Sequence, residues 1–406
     1  MSRLHRPMLR RASAALAVVA TAAAATLGAL PANAAQNDPP SRSGPLSVAD
    51  SAAVLGRIAP DLLAETSRPA APAEADAIAA EQGARPFELQ VSTGGGAPVV
   101  ELSPAETEGA GLPVTITVDD ARGQAVTSAD GITSFAVDGT AREPGAPADA
   151  AAYVQPLMNG VRLLTALAGP GAGDAFSYTF DLPEGAGRTE LPVGDTLIHD
   201  AEGHYIGTLG APWARDSAGR DLPTRYEWAG DTLTQHVDLD AQTAYPVLLD
   251  PNWYYAYDFS AALPLYSARY PKASDLAANR LLHSCFNCQF PINGAPRAYP
   301  VDGQVLPLNA SPFSLEWTAA PVKAQTANGG ALQFLAMPGH FDGAGSLITF
   351  SWYNDPSGYL HLYVHAMVKR DLGPARNVAN SKIAGFNWLT FWQGVANNAT
   401  GSSGGV

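Results

Sequence analysis

Short runs of alternating apolar and polar residues fill the chain from about residue 87 to residue 209. This period of two is typical of half-buried strands, and glycine, proline, asparagine and aspartate stand between the runs. Asn159-Gly160 and the segment Asp200 to Gly203 are turn sequences typical of hairpins. We expect strands at 87–91, 114–118, 132–137, 152–156, 161–167, 176–182, 196–199 and 205–209. Many short strands at this spacing predict an antiparallel β-sandwich or barrel-like domain.

The last third of the chain mixes strands with helices. A short helix is expected from Ser274, its N-cap, to Leu282. A longer helix is expected from Val378 to Ala396, because apolar residues recur there at helical spacing and can pack on a sheet. Further strands are expected at 253–259, 315–317, 331–336, 346–353 and 360–368. The predicted fold class is mainly β with a C-terminal helix, in which a smaller α+β domain follows the antiparallel one.

The residues before the first strand divide into an export signal and a leader. Four arginines precede an apolar stretch, and Ala32-Asn33-Ala34 gives a small-x-small cleavage pattern. We interpret residues 1–34 as a secretory signal peptide rather than a membrane anchor, because the apolar part is short and weakly hydrophobic. Residues 35–86 are expected to form a Pro/Ala-rich leader with one or two short helices, folded back or loose.

Charge and aromatic content divide the exported chain near residue 251. The full chain carries a net charge of −14, and removal of the four signal-peptide arginines makes it −18. Residues 35–251 hold 31 acids against 11 Lys and Arg, whereas residues 252–406 hold 7 against 9 and contain 23 of the 34 aromatic residues. We predict an acidic domain at 87–251, an aromatic domain at 252–396 and a flexible tail at 397–406. The acidic charge argues against nucleic-acid binding.

Three motifs follow one another in the acidic part: Gly210-Ala211-Pro212-Trp213-Ala214, Leu222-Pro223-Thr224-Arg225-Tyr226-Glu227 and Tyr245-Pro246-Val247-Leu248-Leu249-Asp250-Pro251. In this order they resemble an N-terminal module of secreted actinobacterial proteins, over about residues 87–251. The resemblance implies a carrier followed by a variable C-terminal region, which in some relatives is a small antimicrobial or effector-like domain. It implies no catalytic residues. The final strands and long helix resemble helix-grip, lipid-binding-like domains, without a motif that transfers function.

The two cysteines, Cys285 and Cys288, are spaced C-x-x-C. In a cytosolic chain this spacing would suggest redox chemistry, whereas export favours a disulfide. We expect residues 284–291 to be a loop closed by this disulfide. Free thiols and a redox or metal-binding pair are the alternatives.

The loop from Met337 to Gly345 brings an imidazole and a carboxylate together at His340 and Asp342. A histidine oriented by an acid makes them weak catalytic candidates, and a phosphate or sugar contact is a second interpretation. The alternative is a glycine-shaped turn in which His340 caps the backbone. Nucleophile, zinc-protease and P-loop motifs are absent from the sequence, so we predict no cofactor and no metal.

His361, Tyr363 and His365 share one face of a predicted strand, and with Trp352 they form the predicted binding residues. The two histidines are roughly 13 Å apart along a strand, too far to bind one zinc ion together. The intervening apolar residues would face the core.

Together these observations predict a secreted bacterial two-domain protein of non-catalytic type, whose aromatic C-terminal domain binds an extracellular or cell-surface partner. No transmembrane segment is expected after signal cleavage. One alternative is a secreted antibacterial effector with an acidic carrier and a C-terminal payload. A second is an extracellular hydrolase that uses His340 and Asp342.

Overall fold

A computed structural model describes residues 51–93, 96–137, 149–191, 193–260, 272–310, 318–327 and 331–401. The predicted signal peptide, the first part of the leader and the predicted strand at 315–317 lie outside these ranges. Within them, no helix combines the length and apolar character needed to span a membrane.

In these ranges, three helices precede the first strand, two lie among the later strands, and one long helix follows the last strand. The helices are α1 (Ser51–Ile58), α2 (Pro60–Leu63), α3 (Pro72–Gln82), α4 (Asp275–Ser284), α5 (Phe286–Gln289) and α6 (Pro374–Gly401). The strands are β1 (Glu88–Ser92), β2 (Val99–Ser103), β3 (Val114–Val118), β4 (Ala121–Thr127), β5 (Thr133–Val137), β6 (Ala150–Leu157), β7 (Gly160–Leu167), β8 (Ala175–Asp181), β9 (Gly187–Glu190), β10 (Thr196–His199), β11 (Tyr205–Leu209), β12 (Ala214–Arg215), β13 (Thr224–Ala229), β14 (Thr232–Val237), β15 (Val247–Leu249), β16 (Asn252–Tyr254), β17 (Tyr257–Ser260), β18 (Val305–Ala310), β19 (Thr318–Ala327), β20 (Ala331–Ala336), β21 (Leu347–Asn354) and β22 (Leu360–Met367).

Two antiparallel sheets form a sandwich in the first part of the chain. The first sheet has the order β1-β2-β3-β8-β14-β13. The second has the order β4-β5-β6-β7-β16-β11-β10-β9, with β15 beside β7 and β12 beside β15. Side chains of both sheets, such as Ile116 and Phe135, meet in one buried core, and the rings of Phe180 and Trp253 lie 5.4 Å apart across it. The predicted antiparallel β class is confirmed, in its sandwich form.

Close packing around Trp253 predicts a large effect for one added methyl group. Gly207 of β11 lies against this buried indole, and a Cβ at residue 207 would lie 2.1 Å from its Cζ2 atom. We expect Gly207→Ala to lower the free energy of unfolding by about 3 kcal/mol, because the core must shift to admit the methyl group. Urea denaturation measures the loss.

Gly187 of β9 provides a matched control in the same sheet, since a Cβ there would meet no atom of the described residues within 4 Å. Gly187→Ala should leave the unfolding free energy unchanged or slightly higher. Equal stability of the two variants would contradict the close approach at Gly207.

A third antiparallel sheet, β17-β22-β21-β20-β19-β18, holds the C-terminal helix. One face of the sheet shares a core with α4, α5 and α6, in which Phe350 and Leu362 meet Phe391 and Trp392. Helix α6 therefore packs on the sheet, as its apolar stripe predicts. The helix is longer than expected and its Ala399 is buried, so the predicted tail at 397–406 is wrong for residues 397–401.

The aromatic run predicted as one strand at 253–259 is two strands in different sheets. Residues 252–254 form β16 between β7 and β11 of the sandwich, and residues 257–260 form β17 beside β22. The chain leaves the sandwich at Tyr255-Ala256, a few residues beyond the charge boundary. A run of aromatic residues favours a strand on either side of this bend, so its pattern does not reveal the change of sheet.

The end of the leader packs on the sandwich. One of the short helices expected in the leader is divided into α1 and α2, because Pro60 begins a new helix and cannot donate a backbone hydrogen bond within the old one. Val54, Leu55 and Ile58 of α1 pack on Tyr153 and other side chains of the second sheet. The leader from residue 51 onward thus folds back.

The segment predicted as a loop at 284–291 contains the short helix α5. Ser274 caps α4 as expected, since its Oγ accepts the Ala277 N–H at 3.1 Å. The chain turns at Cys285, which ends α4 and precedes α5, and a disulfide joins it to Cys288. The disulfide therefore closes one turn of helix rather than an extended loop.

Candidate functional site

A cavity of about 170 Å³ lies between α6 and the third sheet. Val364 and Ala366 of β22 line it from the sheet, and Ala384 and Trp388 line it from α6. Phe87, leader residues 67–70 and residues 157–159 also line it. The cavity is thus built from both parts of the chain, and most of its lining is apolar.

The carboxylate of Asp342 is the buried acidic group in the cavity wall. The residue is 5% exposed, and its Oδ1 atom has no hydrogen-bond partner within the described part of the chain. Burial raises the pKa of Asp342 to about 6, although a hydrogen bond from Asn380 opposes the shift. Asp342 therefore places a buried carboxylate in the wall of a mainly apolar cavity.

His340 does not form an acid-oriented catalytic pair with Asp342. Its Nδ1 accepts the Asp342 backbone N–H at 3.1 Å, whereas the Asp342 carboxylate lies 3.9 Å from that nitrogen. The longer distance is outside hydrogen-bond range, so the ring caps the loop backbone. Burial lowers the pKa of His340 to about 4, which leaves the ring neutral near pH 7.

The four predicted binding residues lie in different surroundings. His361, Tyr363 and His365 share one face of β22, as predicted, and this face packs on the sandwich. Trp352 lies on the opposite face of the sheet, in the core beneath α6. The four side chains therefore do not form one surface.

His365 is the member of this set that borders a second cavity, of about 280 Å³, between the sandwich and the third sheet. Its ring stacks on Tyr254 with centroids 3.9 Å apart, and burial lowers its pKa to about 4. The Tyr363 hydroxyl donates to the Tyr254 hydroxyl at 3.1 Å. These contacts join β22 to β16, so the two residues connect the two parts of the chain.

His361 belongs to a buried polar cluster that the sequence pattern does not reveal. Oδ2 of Asp258 lies 2.8 Å from His361 Nδ1 and 3.0 Å from His199 Nε2. The Tyr353 hydroxyl lies 3.1 Å from His199 Nε2, 3.3 Å from His361 Nδ1 and 3.1 Å from Oδ2 of Asp258. Strands β10, β17, β21 and β22 each supply one member, so the cluster exists only when sandwich and third sheet meet.

Comparisons with known proteins leave the family of this chain open. No family model matches the sequence, and no curated protein matches it. One solved structure, the di-domain ARO/CYC StfQ from the steffimycin biosynthetic pathway, aligns with 70% of this chain and 89% of its own, at 10% identity and a TM-score of 0.27. A similarity this low supports no inference about fold or activity.

Proposed function

We propose that the protein is a non-catalytic binding protein, whose C-terminal part holds a small, mainly apolar molecule in the cavity beneath α6. The observation that carries the proposal is a mainly apolar cavity whose wall includes the buried carboxylate of Asp342, one oxygen of which has no hydrogen-bond partner among the described residues. Ligand sites commonly combine apolar walls with a few placed polar groups. An apolar cavity of about 150 Å³ is large enough for benzene, so this cavity suits a molecule about one ring in size.

The ligand should carry a hydrogen-bond donor. An unsatisfied buried acceptor costs about 1–3 kcal/mol, and a hydroxyl or amine group placed against Asp342 would remove that cost. Arg68 and Arg370 also line the cavity and are exposed, so they would lie at its entrance. If residues 1–34 direct export as predicted, the ligand is met outside the cell.

The connection between the two parts supports binding over release of a toxic payload. Strand β16 follows the predicted boundary at Pro251, yet it pairs with β7 and β11 inside the sandwich. A cut near Pro251 would leave this strand and the buried Asp258 cluster in place. The arrangement at His340 likewise offers no oriented base for a hydrolase.

Phenol and benzene form a matched pair of probes, because they differ by one hydroxyl group. We expect the wild-type chain to bind phenol about tenfold more tightly than benzene, which corresponds to one net hydrogen bond of about 1.4 kcal/mol. In Asp342→Leu the preference should disappear, because the acceptor is gone. Calorimetric titration or ligand-observed NMR measures both affinities.

Ala384→Phe tests the location, because the larger ring should fill the cavity and reduce phenol binding at least about tenfold. Thr390→Phe is the control, since residue 390 is an exposed position of α6. Circular dichroism checks that both variants fold. Undiminished phenol binding by Ala384→Phe, or no binding by the wild-type chain, would count against the proposal.

A further inference from the structure

The cluster at Asp258 has the geometry of a tetrahedral metal site. Its four converging atoms are His199 Nε2, His361 Nδ1, Asp258 Oδ2 and the Tyr353 hydroxyl. Five of their six separations fall between 2.8 and 3.3 Å. The corners of a tetrahedron with such edges lie about 1.9 Å from its centre, close to the 2.0–2.2 Å at which zinc binds nitrogen and oxygen.

Hydrogen bonding alone accounts poorly for this crowding. Oδ2 of Asp258 has three neighbours within 3.1 Å, the two imidazoles and the phenol, whereas a carboxylate oxygen offers about two lone-pair positions. The single Tyr353 hydroxyl proton cannot serve all of its close neighbours. A cation at the centre gives each of the four atoms a common partner.

A second carboxylate lies where metal sites commonly have one. His361 Nε2, the nitrogen that faces away from the cluster, is 3.4 Å from Asp355 Oδ2. Asp355 is held in turn, because its Oδ1 accepts the Tyr359 backbone N–H at 2.8 Å. Metal-binding histidines usually donate their other N–H to such a group, which fixes the ring and makes it a better ligand.

We propose that His199, Asp258 and His361 bind one zinc ion, with Tyr353 at the fourth position. The side chains of the three ligands are 12%, 2% and 3% exposed, so the site is closed to substrate. A closed zinc site with protein ligands is structural rather than catalytic. The ion connects β10 of the sandwich to β17 and β22 of the third sheet, and so holds the two parts of the chain together.

The test uses the mature full-length chain, prepared without chelator and dialysed against zinc. Elemental analysis should find one zinc per chain, and removal by a chelator should lower the melting temperature, because zinc binds the folded state alone. His199→Gln and His361→Gln should each weaken zinc binding by about 100-fold. Asp355→Asn should weaken it by about tenfold, because it acts through His361.

His204→Gln is the control, since His204, Asp200 and Glu202 form a largely exposed group that could bind zinc instead. If His204→Gln still binds one zinc per chain, the result supports the buried site. If it binds none, the zinc belongs to the group at His204. If His199→Gln does not fold, Tyr353→Phe with Co²⁺ in place of zinc gives the answer, because loss of a ligand changes the visible bands of tetrahedral Co²⁺. A wild-type chain that retains no zinc, or an unchanged Co²⁺ spectrum in Tyr353→Phe, overturns the proposal.

Discussion

Arg162→Met is expected to lower the free energy of unfolding by about 3–5 kcal/mol, because it removes the buried one of the two cations that pair with the buried carboxylate of Glu65. The guanidinium of Arg162 donates to Glu65 at 2.7 Å, to Gln155 at 3.1 Å and to Asn252 at 2.8 Å. The side chains of Arg162 and Glu65 are only 5% and 7% exposed. Water therefore cannot replace the lost partner.

The loss of stability in Arg162→Met should extend beyond the surroundings of Arg162, because Lys369 belongs to the same ion-pair group. Its ammonium group contacts the second oxygen of Glu65, so a single carboxylate joins the leader to the sandwich and to the third sheet. Removal of Arg162 therefore disturbs the packing of the leader, the sandwich and the third sheet. The same reasoning predicts that Glu65→Leu combined with Arg162→Met costs less than the two single substitutions added together, because the double variant removes both buried charges and leaves only the partly exposed Lys369 without its partner.

Arg225→Met is the matched control. Arg225 lies 3.8 Å from Asp238, with side chains 62% and 69% exposed. An exposed pair of this kind contributes about 0–1 kcal/mol, so the control should unfold near the wild-type denaturant concentration. Similar losses of unfolding free energy in the Arg162 and Arg225 variants would show that burial does not determine the size of the loss.

Alternation along the chain predicted those strands that have one face in a core. Strand β3 begins and ends where the pattern predicted, and its side chains alternate between buried and half-buried positions. Strands β13 and β14 alternate in the structure too, yet their sequences are rich in polar and charged residues. Such residues suit an exposed sheet face, and the hydrophobic pattern alone does not mark them as strands.

Residues on one strand were easier to place than residues brought together by packing. The shared face of His361, Tyr363 and His365 follows from the period of two. The meeting of His361 with His199 and Asp258 depends on how the sandwich lies against the third sheet, which no local pattern contains. At His340, the acid two residues away was evident from the sequence, whereas the backbone N–H that occupies the ring nitrogen was not.

Asp250 is buried in the sandwich beside β15, and it forms no ion pair with the residues that the structure describes. The side chain is 0% exposed, and its Oδ1 accepts the Trp213 backbone N–H at 3.0 Å and the Gln235 amide at 2.9 Å. Burial raises the pKa of Asp250 to about 7, and these hydrogen bonds offset only part of the shift. The folded chain therefore favours the neutral acid, whereas the unfolded chain ionises near its ordinary pKa of about 3.9.

Asp250→Asn should stabilise the protein at pH 8 but not at pH 4. Because the folded pKa is raised, the wild-type chain loses stability as the pH rises from about 4 to about 7, by an amount on the order of 4 kcal/mol. Asparagine keeps the Oδ1 acceptor and does not ionise, so it should escape this loss. Urea denaturation at pH 4.5, 6 and 8 measures the difference between the two proteins.

Asp238→Asn is the control, because Asp238 is 69% exposed. Its unfolding free energy should stay within about 0.5 kcal/mol of the wild-type value at each pH. If the advantage of Asp250→Asn is the same at pH 4.5 and pH 8, ionisation of Asp250 is not its cause. If the advantage of Asp250→Asn grows with pH while Asp238→Asn remains as stable as the wild type, the buried acid opposes folding at neutral pH. Its hydrogen bonds to Trp213 and Gln235 then only reduce that cost.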